Sequence, residues 1–121
     1  MKKILIVDDK TSISNLLVQF LNKQYIVETR EDGVEALTWL QQGNMPDLVI
    51  TDLQMPNMDG AELIRRMKES GYFKDIPIIV LSSKDSSADR VQCLKLGAED
   101  YVIKPFNPEE LLIRIEKILR R

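Results

Sequence analysis

Short apolar runs rich in isoleucine and valine recur along this chain, and a helix-length segment separates most runs from the next. The runs are centred on Ile4–Val7, Tyr25–Val27, Leu48–Ile50, Ile76–Leu81 and Tyr101–Ile103. Their hydrophobicity is continuous rather than alternating, which is typical of parallel strands that are covered on both faces. Strict alternation of strands and helices, joined by right-handed crossovers, predicts an α/β fold with a doubly wound parallel sheet.

The segments between the runs carry the signals of amphipathic helices. One apolar stripe at helical spacing consists of Ile13, Leu16, Leu17, Phe20 and Leu21. Four further helices begin with a capping residue that is followed by an acid three positions later. These capping residues are Asp32, Asp59, Ser86 and Asn107, and the glycines expected at three helix ends are Gly43, Gly71 and Gly97. The sequence thus predicts five strands and five helices in one domain that covers residues 1–121.

Four of the apolar runs stop at residues whose side chains suit metal or phosphate chemistry. Asp8 and Asp9 follow the first run, Asp52 follows the third, Ser82 follows the fourth and Lys104 follows the fifth. The carboxyl ends of parallel strands lie along one edge of an open α/β sheet, and such folds bind their ligands at that edge. We therefore expect these five side chains to lie close together.

Each of these residues also has an ordinary structural explanation when it is taken alone. An aspartate can cap a helix or a turn, a serine at a strand end usually bonds a nearby backbone group, and most lysines are only solvated. Their joint placement favours chemistry, because adjacent carboxylates suit a hard cation such as Mg²⁺. A metal and a lysine together can neutralise a phosphoryl group on an aspartate. The sequence therefore predicts a phosphoryl-transfer site.

These residues lie in motifs that resemble the receiver domain of two-component response regulators, and the resemblance covers the whole chain. The motifs are Ile-Val-Asp8-Asp9, Asp52-Leu-Gln-Met-Pro56-Asn-Met-Asp-Gly60, Leu-Ser82-Ser83 and Gly97-Ala-Glu-Asp-Tyr101-Val-Ile-Lys104-Pro105-Phe106. The resemblance implies a flavodoxin-like sheet with strand order 2-1-3-4-5. The last third of the chain is similar to the OmpR/PhoB subfamily in detail.

The resemblance implies that Asp52 accepts a phosphoryl group from a phosphohistidine on a sensor histidine kinase. It also implies a Mg²⁺ site, which Mn²⁺ could occupy instead. Asp9 would bind the ion directly, Asp8 would help partly through water, and the Asp52 carboxylate and the backbone carbonyl of Gln54 would complete the protein ligands. Such a domain catalyses only its own phosphorylation and dephosphorylation and is not a turnover enzyme.

A switch follows from the same resemblance. Lys104, next to an expected cis Lys104–Pro105 peptide, would pair with the phosphoryl group, and Ser82 would form a hydrogen bond with it. Movement of Ser82 toward Asp52 would leave a space into which Tyr101 rotates, and the surface of the fourth helix, fifth strand and fifth helix would change. The alternative for Tyr101 is an edge-strand aromatic that only packs.

Two details distinguish this chain within the pattern. Ser82 stands where threonine is commoner, and its rotamer is less restrained because it lacks the methyl group. Its coupling to Tyr101 is therefore expected to be looser. Gln54 and Lys84 lie two positions beyond Asp52 and Ser82, and our hypothesis is that these long side chains flank the attacking water and slow dephosphorylation.

In OmpR/PhoB-like proteins, the surface of the last two helices and the last strand forms a symmetric dimer on activation. The resemblance implies that Arg90 faces Glu110 of the partner subunit and that Asp100 faces Arg114 of the partner subunit. An alternative remains open, because Glu110 and Arg114 are four residues apart and can pair within their own helix.

Composition excludes several classes of function. The chain has 17 basic and 19 acidic side chains, a net charge of −2 and a pI of about 5.2, so no basic surface for nucleic acid is expected. No histidine is present, which argues against histidine-based catalysis. The single cysteine, Cys93, is expected to be a buried core residue in a reducing cytoplasm. The first apolar run is too short for a signal peptide, and no stretch is long enough for a membrane span.

The leading hypothesis is a phosphorylation-controlled signalling switch, with transcription through an attached DNA-binding domain as the expected output. Arg120 and Arg121 lie where the linker to such a domain would begin. A stand-alone receiver that acts by docking or phosphorelay is the alternative. A phosphohydrolase of the haloacid dehalogenase group is disfavoured because it needs Asp-x-Asp after the first strand. A flavin carrier is disfavoured because its phosphate loop is rich in Ser, Thr and Gly.

Overall fold

A computed structural model describes residues 1–120, so Arg121, where the predicted domain and linker boundary falls, lies outside the described residues. The described residues form five strands and five helices in strict alternation. The strands are β1 Lys3–Val7, β2 Ile26–Arg30, β3 Leu48–Thr51, β4 Ile78–Ser82 and β5 Asp100–Ile103. The helices are α1 Thr11–Leu21, α2 Gly33–Gln41, α3 Gly60–Glu69, α4 Ser87–Leu96 and α5 Pro108–Leu119.

All of these strands pair in parallel, in the order β2-β1-β3-β4-β5, which confirms the predicted doubly wound, flavodoxin-like α/β fold. The sheet is covered on both faces, as the continuous apolar runs predict. Alternate residues of β1 point to opposite faces, so that Leu5 and Val7 pack with α2, α3 and α4, while Ile4 and Ile6 pack with α1 and α5. Truncating any of these fully buried side chains to alanine is expected to cost about 2–5 kcal/mol.

The boundaries of β2 and β4 differ from the sequence expectation. β2 extends to Arg30, because an edge strand has one side open to water and accepts polar residues that an apolar run does not reveal. β4 begins at Ile78 rather than Ile76, because Pro77 has no N–H to donate to the sheet. Its carbonyl still accepts from Val49 N–H at 3.0 Å.

Side-chain caps at the predicted residues fix where four helices begin. Asp32, Asp59 and Ser86 each accept a hydrogen bond from the backbone N–H three residues later, and Asn107 accepts two. Gly97 ends α4 with a φ of 119°, a left-handed conformation that favours glycine. None of the helices within residues 1–120 combines the length and the apolarity that crossing a bilayer requires.

Candidate functional site

The sheet register brings the predicted site residues to one edge. Val7 and Thr51 are partners in neighbouring strands, so the residues that follow them, Asp8 and Asp52, lie side by side. Ser82 ends β4 opposite Ile103 of β5, which places Lys104 at the same edge. Crossovers of parallel strands therefore assemble a site from residues that are up to 96 positions apart in the chain.

Three carboxylates form the centre of this site. Asp8, Asp9 and Asp52 each offer an oxygen, and these three oxygens lie within 4.8 Å of one another. Asp8 and Asp52 are both 4% exposed, whereas Asp9 is exposed. Oxygen donors at this spacing, with one carboxylate open to solvent, fit a hard divalent cation that keeps some of its water.

Lys104 balances part of this negative charge. Its ammonium lies 2.9 Å from Asp8 Oδ2 and 3.5 Å from Asp52 Oδ2, and the side chain is 12% exposed. The Lys104–Pro105 peptide is cis, as the resemblance implies. Because burying a carboxylate without a partner is costly, Lys104 stabilises the pair of buried acids, Asp8 and Asp52.

The backbone holds Asp52 in place. Its Oδ1 accepts a hydrogen bond from Leu53 N–H at 2.7 Å, and its carbonyl accepts one from Thr51 Oγ1 at 2.8 Å. Its Oδ2 faces the ammonium groups of Lys10 and Lys104. The first turn of α3 packs directly against this residue, since a Cβ built on Gly60 would lie 2.1 Å from the Asp52 carbonyl oxygen. Only glycine fits at this close approach.

Ser82 and Tyr101 are connected through the backbone of Lys84. Lys84 N–H donates to Ser82 Oγ at 3.2 Å, and Tyr101 Oη donates to the Lys84 carbonyl oxygen at 2.6 Å. Tyr101 is 7% exposed, so its ring already occupies the inward position that the switch hypothesis assigns to the active form. Burial raises the pKa of the Tyr101 phenol.

Gln54 lines a cleft together with Asp9, one of the three carboxylates. The cleft has a volume of about 770 Å³, and its lining includes Asp9, Gln54 and Lys84. Gln54 and Lys84 are both exposed there. Small molecules from solvent can therefore reach Asp9 past these two side chains.

Comparison with known proteins identifies this arrangement. The family profile described as response regulator receiver domain matches residues 4–116. The chain belongs to the response regulator receiver domain family.

Curated regulators match this chain over almost its whole length. Response regulator MprA of Mycobacterium sp. (strain KMS) is 45% identical over 120 residues, which are 98% of this chain and 51% of that protein. Transcriptional regulatory protein ResD of Bacillus subtilis (strain 168) is 41% identical over 98% of this chain and 48% of that protein. The chain thus spans about half the length of the curated relatives it matches.

Solved structures show the same fold. The chemotaxis response regulator CheY4 of Vibrio cholerae superposes with a TM-score of 0.90 at 35% identity and covers 98% of both chains. The BeF3-activated N-terminal receiver domain of Klebsiella pneumoniae RstA gives a TM-score of 0.88 at 32% identity over 99% of this chain and 100% of that one. The receiver domain predicted from the motifs, with its OmpR/PhoB-like features, is confirmed.

Three of the four residues predicted to pair across a dimer, Asp100, Glu110 and Arg114, pair within one chain. Arg114 donates to Asp100 Oδ2 at 2.7 Å and to Glu110 Oε1 at 2.9 Å, so the intrahelical alternative for Glu110 is present. These two acids raise the pKa of the Arg114 guanidinium. Arg90 is half-buried on α4. The prediction of pairs between protomers stays a prediction.

Sequence reasoning missed three contacts around the site of the receiver domain. Lys10 places its ammonium 3.7 Å from Asp52 Oδ2, and its position directly after the acid pair was the available signal. Asn57, with a φ of 66°, donates to Asp32 Oδ2 at 2.8 Å and so ties the loop after β3 to the start of α2. Gly33 N–H donates to the Met58 carbonyl at 3.1 Å and joins the same loop to the same helix.

The remaining sequence-predicted residue is Cys93, which is 2% exposed in the core as expected. Burial raises the pKa of its thiol, which disfavours the reactive thiolate.

Proposed function

We propose that this receiver domain is a phosphorylation-activated switch in which Asp52 accepts a phosphoryl group from a sensor histidine kinase. One observation carries the proposal. The buried Asp52 carboxylate presents Oδ2 to the Lys104 ammonium at 3.5 Å, inside a cluster of three carboxylates. Receiver domains of response regulators interact with histidine kinases, which supports the identity of the donor.

In the transfer step, a carboxylate oxygen of Asp52 attacks the phosphorus of a phosphohistidine. The P–N bond breaks, its electron pair stays on the imidazole nitrogen, and an acyl phosphate forms. Lys104 neutralises a phosphoryl oxygen, and the Ser82 hydroxyl donates a hydrogen bond to another. A bound Mg²⁺ or Mn²⁺, held by Asp8, Asp9, Asp52 and the Gln54 carbonyl, would add positive charge next to the phosphoryl oxygens.

Hydrolysis resets the switch. A water oxygen attacks phosphorus, the P–O bond to Asp52 breaks, and the products are inorganic phosphate and the free carboxylate. The chain therefore acts on its own phosphoryl group and turns over no separate substrate. Gln54 and Lys84 border the cleft by which water arrives, and this placement supports the hypothesis that they slow hydrolysis.

The signal passes from Ser82 to the outer face through the Lys84 peptide. When Ser82 Oγ turns toward the phosphoryl group, it leaves space behind it that favours the inward Tyr101 ring, whose hydroxyl donates to the Lys84 carbonyl. Phosphorylation thus biases a two-state equilibrium of Tyr101 and the α4-β5-α5 surface. The bonds of 3.2 Å and 2.6 Å that link these three residues support this route.

We also propose that the α4-β5-α5 surface forms a homodimer on activation. Val91, Leu94 and Ile113 are 47%, 45% and 54% exposed on that surface, and such apolar side chains suit an interface. In the dimer, Arg114 would leave Asp100 of its own chain and pair with the same acid of the partner subunit. Exposed pairs of this kind contribute about 0–1 kcal/mol each, so they fix register more than affinity. A molecular mass that stays monomeric with beryllofluoride and Mg²⁺ would count against the dimer.

Residues 1–121 constitute one receiver domain, working in the cytoplasm without direct contact with nucleic acid or membrane. Regulators named MprA and ResD, which are about twice as long, support an output domain after Arg121 that controls transcription. A stand-alone receiver is the second candidate, because CheY4 of Vibrio cholerae matches this chain over 98% of its own length. The reading frame beyond codon 121 distinguishes the two.

Intact mass spectrometry after incubation with acetyl phosphate and Mg²⁺ tests the central proposal. Wild type should gain one phosphoryl group, and Asp52→Ala and the isosteric Asp52→Asn should gain none. Omission of Mg²⁺ with a chelator present should abolish the adduct. An unmodified wild type, or an adduct of equal yield on Asp52→Asn, would refute the assignment.

A further inference from the structure

The Asp52 carboxylate faces a second lysine, Lys10, on its solvent side. Lys10 Nζ lies 3.7 Å from Asp52 Oδ2, the same oxygen that Lys104 approaches to 3.5 Å. The two lysines differ in exposure, at 57% for Lys10 and 12% for Lys104. Lys104 is therefore a fixed part of the site, whereas Lys10 contacts it from solvent.

The backbone, and not the side chain, keeps Lys10 next to the acids. Its N–H donates to Asp8 Oδ1 at 2.9 Å, and it occupies the N-cap position of α1 without a side-chain cap bond. The aliphatic chain is thus anchored at its base while its ammonium can approach or leave Asp52 at little cost.

From this geometry we propose that Lys10 has opposite effects before and after phosphoryl transfer. It competes with the divalent cation for Asp52 in the unmodified protein, and it draws in and balances the phosphoryl group once the cation is bound. Lys10 is then a further residue that tunes phosphorylation, and this proposal rests on the proposed function of Asp52.

The net charge of the site explains why Lys10 weakens cation binding but favours phosphoryl transfer. Three carboxylates and two ammonium groups leave one net negative charge, which a divalent cation overcompensates. Without Lys10 the same cation meets two net negative charges and is held more tightly. A phosphoryl group carries a charge of about −2 near neutral pH and replaces the −1 of the acceptor carboxylate. With the cation present, the phosphorylated site is then neutral with Lys10 and carries one negative charge without it.

The expected size of each effect is about two- to fivefold. Lys10 is more than half exposed, and solvent screens such pairs strongly. Both effects should shrink as ionic strength rises, because added salt screens charges that solvent reaches. An indirect effect through misfolding would not depend on salt in this way.

Lys10→Gln removes the charge, and Lys10→Arg restores it. Lys74→Gln is the matched control, since Lys74 is exposed in the segment before β4, at the opposite edge of the sheet. Calorimetric titration with Mg²⁺ alone measures the first effect on unmodified protein. The initial rate of adduct formation with acetyl phosphate at saturating Mg²⁺, read by intact mass, measures the second effect. Both are repeated at low and high salt.

Lys10→Gln should bind Mg²⁺ about two- to fivefold more tightly and react with acetyl phosphate about two- to fivefold more slowly. Lys10→Arg should return both quantities toward wild type, and Lys74→Gln should change neither. If Lys10→Gln matches Lys74→Gln, or if it weakens Mg²⁺ binding and slows the reaction together, the role of Lys10 is refuted while the acceptor role of Asp52 stands. A wild type that forms no adduct overturns both proposals.

Discussion

Replacing Gly60 with alanine tests how closely the fold and the acceptor depend on one another. A Cβ at this position would lie 2.1 Å from the Asp52 carbonyl oxygen and 3.0 Å from both the Asp52 carbonyl carbon and Leu53 Cα. All three are backbone atoms, so no side-chain rotation relieves the overlap. Because contacts between carbon and a carbonyl oxygen normally lie at about 3.3 Å or more, the two backbones must separate by roughly 1 Å.

The expected loss of folding stability in Gly60→Ala follows from overpacking. Inserting a methyl group into a packed site costs about 1–3 kcal/mol, and this position lies at the upper end because only backbone can move. Alanine recovers at most about 1 kcal/mol in chain entropy relative to glycine. We expect a net loss of about 2 kcal/mol in the free energy of unfolding. A displacement of about 1 Å at Asp52 should also slow phosphorylation by up to about 10²-fold.

Urea unfolding followed by the fluorescence of Trp39, which is 6% exposed and the only tryptophan, measures the stability. With a slope of about 2 kcal/mol/M, the midpoint should fall by about 1 M. Gly71→Ala is the control, because a Cβ there meets nothing within 4 Å and its change should stay within about 0.5 kcal/mol. Equal midpoints and equal phosphorylation rates for the two variants would refute the reasoning.

Three further predictions concern the charges and the timing of the site. Lys104→Met should lower the rate of phosphorylation by acetyl phosphate about 10²–10³-fold, because it removes a fixed cation from the acceptor; a rate within fivefold of wild type would contradict the assigned role. The pKa of Asp32 lies below its ordinary value of 3.8, chiefly because Glu35 N–H donates to it and also because Asn57 does, although burial opposes the shift. A lowered folded-state pKa means that its contribution to stability is complete above about pH 4 and is lost as the pH falls through the folded pKa. The stability difference between wild type and Asp32→Asn should accordingly be constant from about pH 5 to 8 and shrink below pH 4; a constant difference down to pH 2 would refute it. Gln54→Asn combined with Lys84→Ala should shorten the lifetime of the phosphorylated form, measured as loss of the mass adduct after removal of the donor, and an unchanged lifetime would remove these side chains from the timing of hydrolysis.

Much of the fold and of the acid cluster could be predicted because the signals are local. Continuous apolar runs, capping residues and strand-end acids each report on a few neighbouring residues, and parallel topology then places the strand ends together. The edge strand β2 was predicted too short because Glu28, Thr29 and Arg30 lie on a half-solvated strand, where apolar periodicity carries no information. The start of β4 was misplaced because the apolar run begins at Ile76, whereas Pro77 has no N–H to donate and the strand begins only at Ile78.

The contacts that the sequence did not reveal involve side chains brought together over long distances in the chain. The bond between Asn57 and Asp32 spans 25 positions, and its left-handed backbone at Asn57 has no periodic signature. Lys10 follows the acid pair directly, but its contact with Asp52 depends on the crossover that brings β3 beside β1. Arg114 was assigned to a partner by resemblance, yet Asp100 lies within reach in the same chain because β5 and α5 pack together.

The sequence by itself determined the order of strands and helices, the family, and which residues stand at the carboxyl edge of the sheet, because strand ends and caps depend on local chemistry. The tertiary structure alone decided which charges meet and how each is shielded. It buried Asp8 and Asp52, set one largely buried and one exposed lysine against the same oxygen of Asp52, and placed the Tyr101 ring inside. Distances and solvent exposure arise only when the layers pack, and electrostatic strength depends on both.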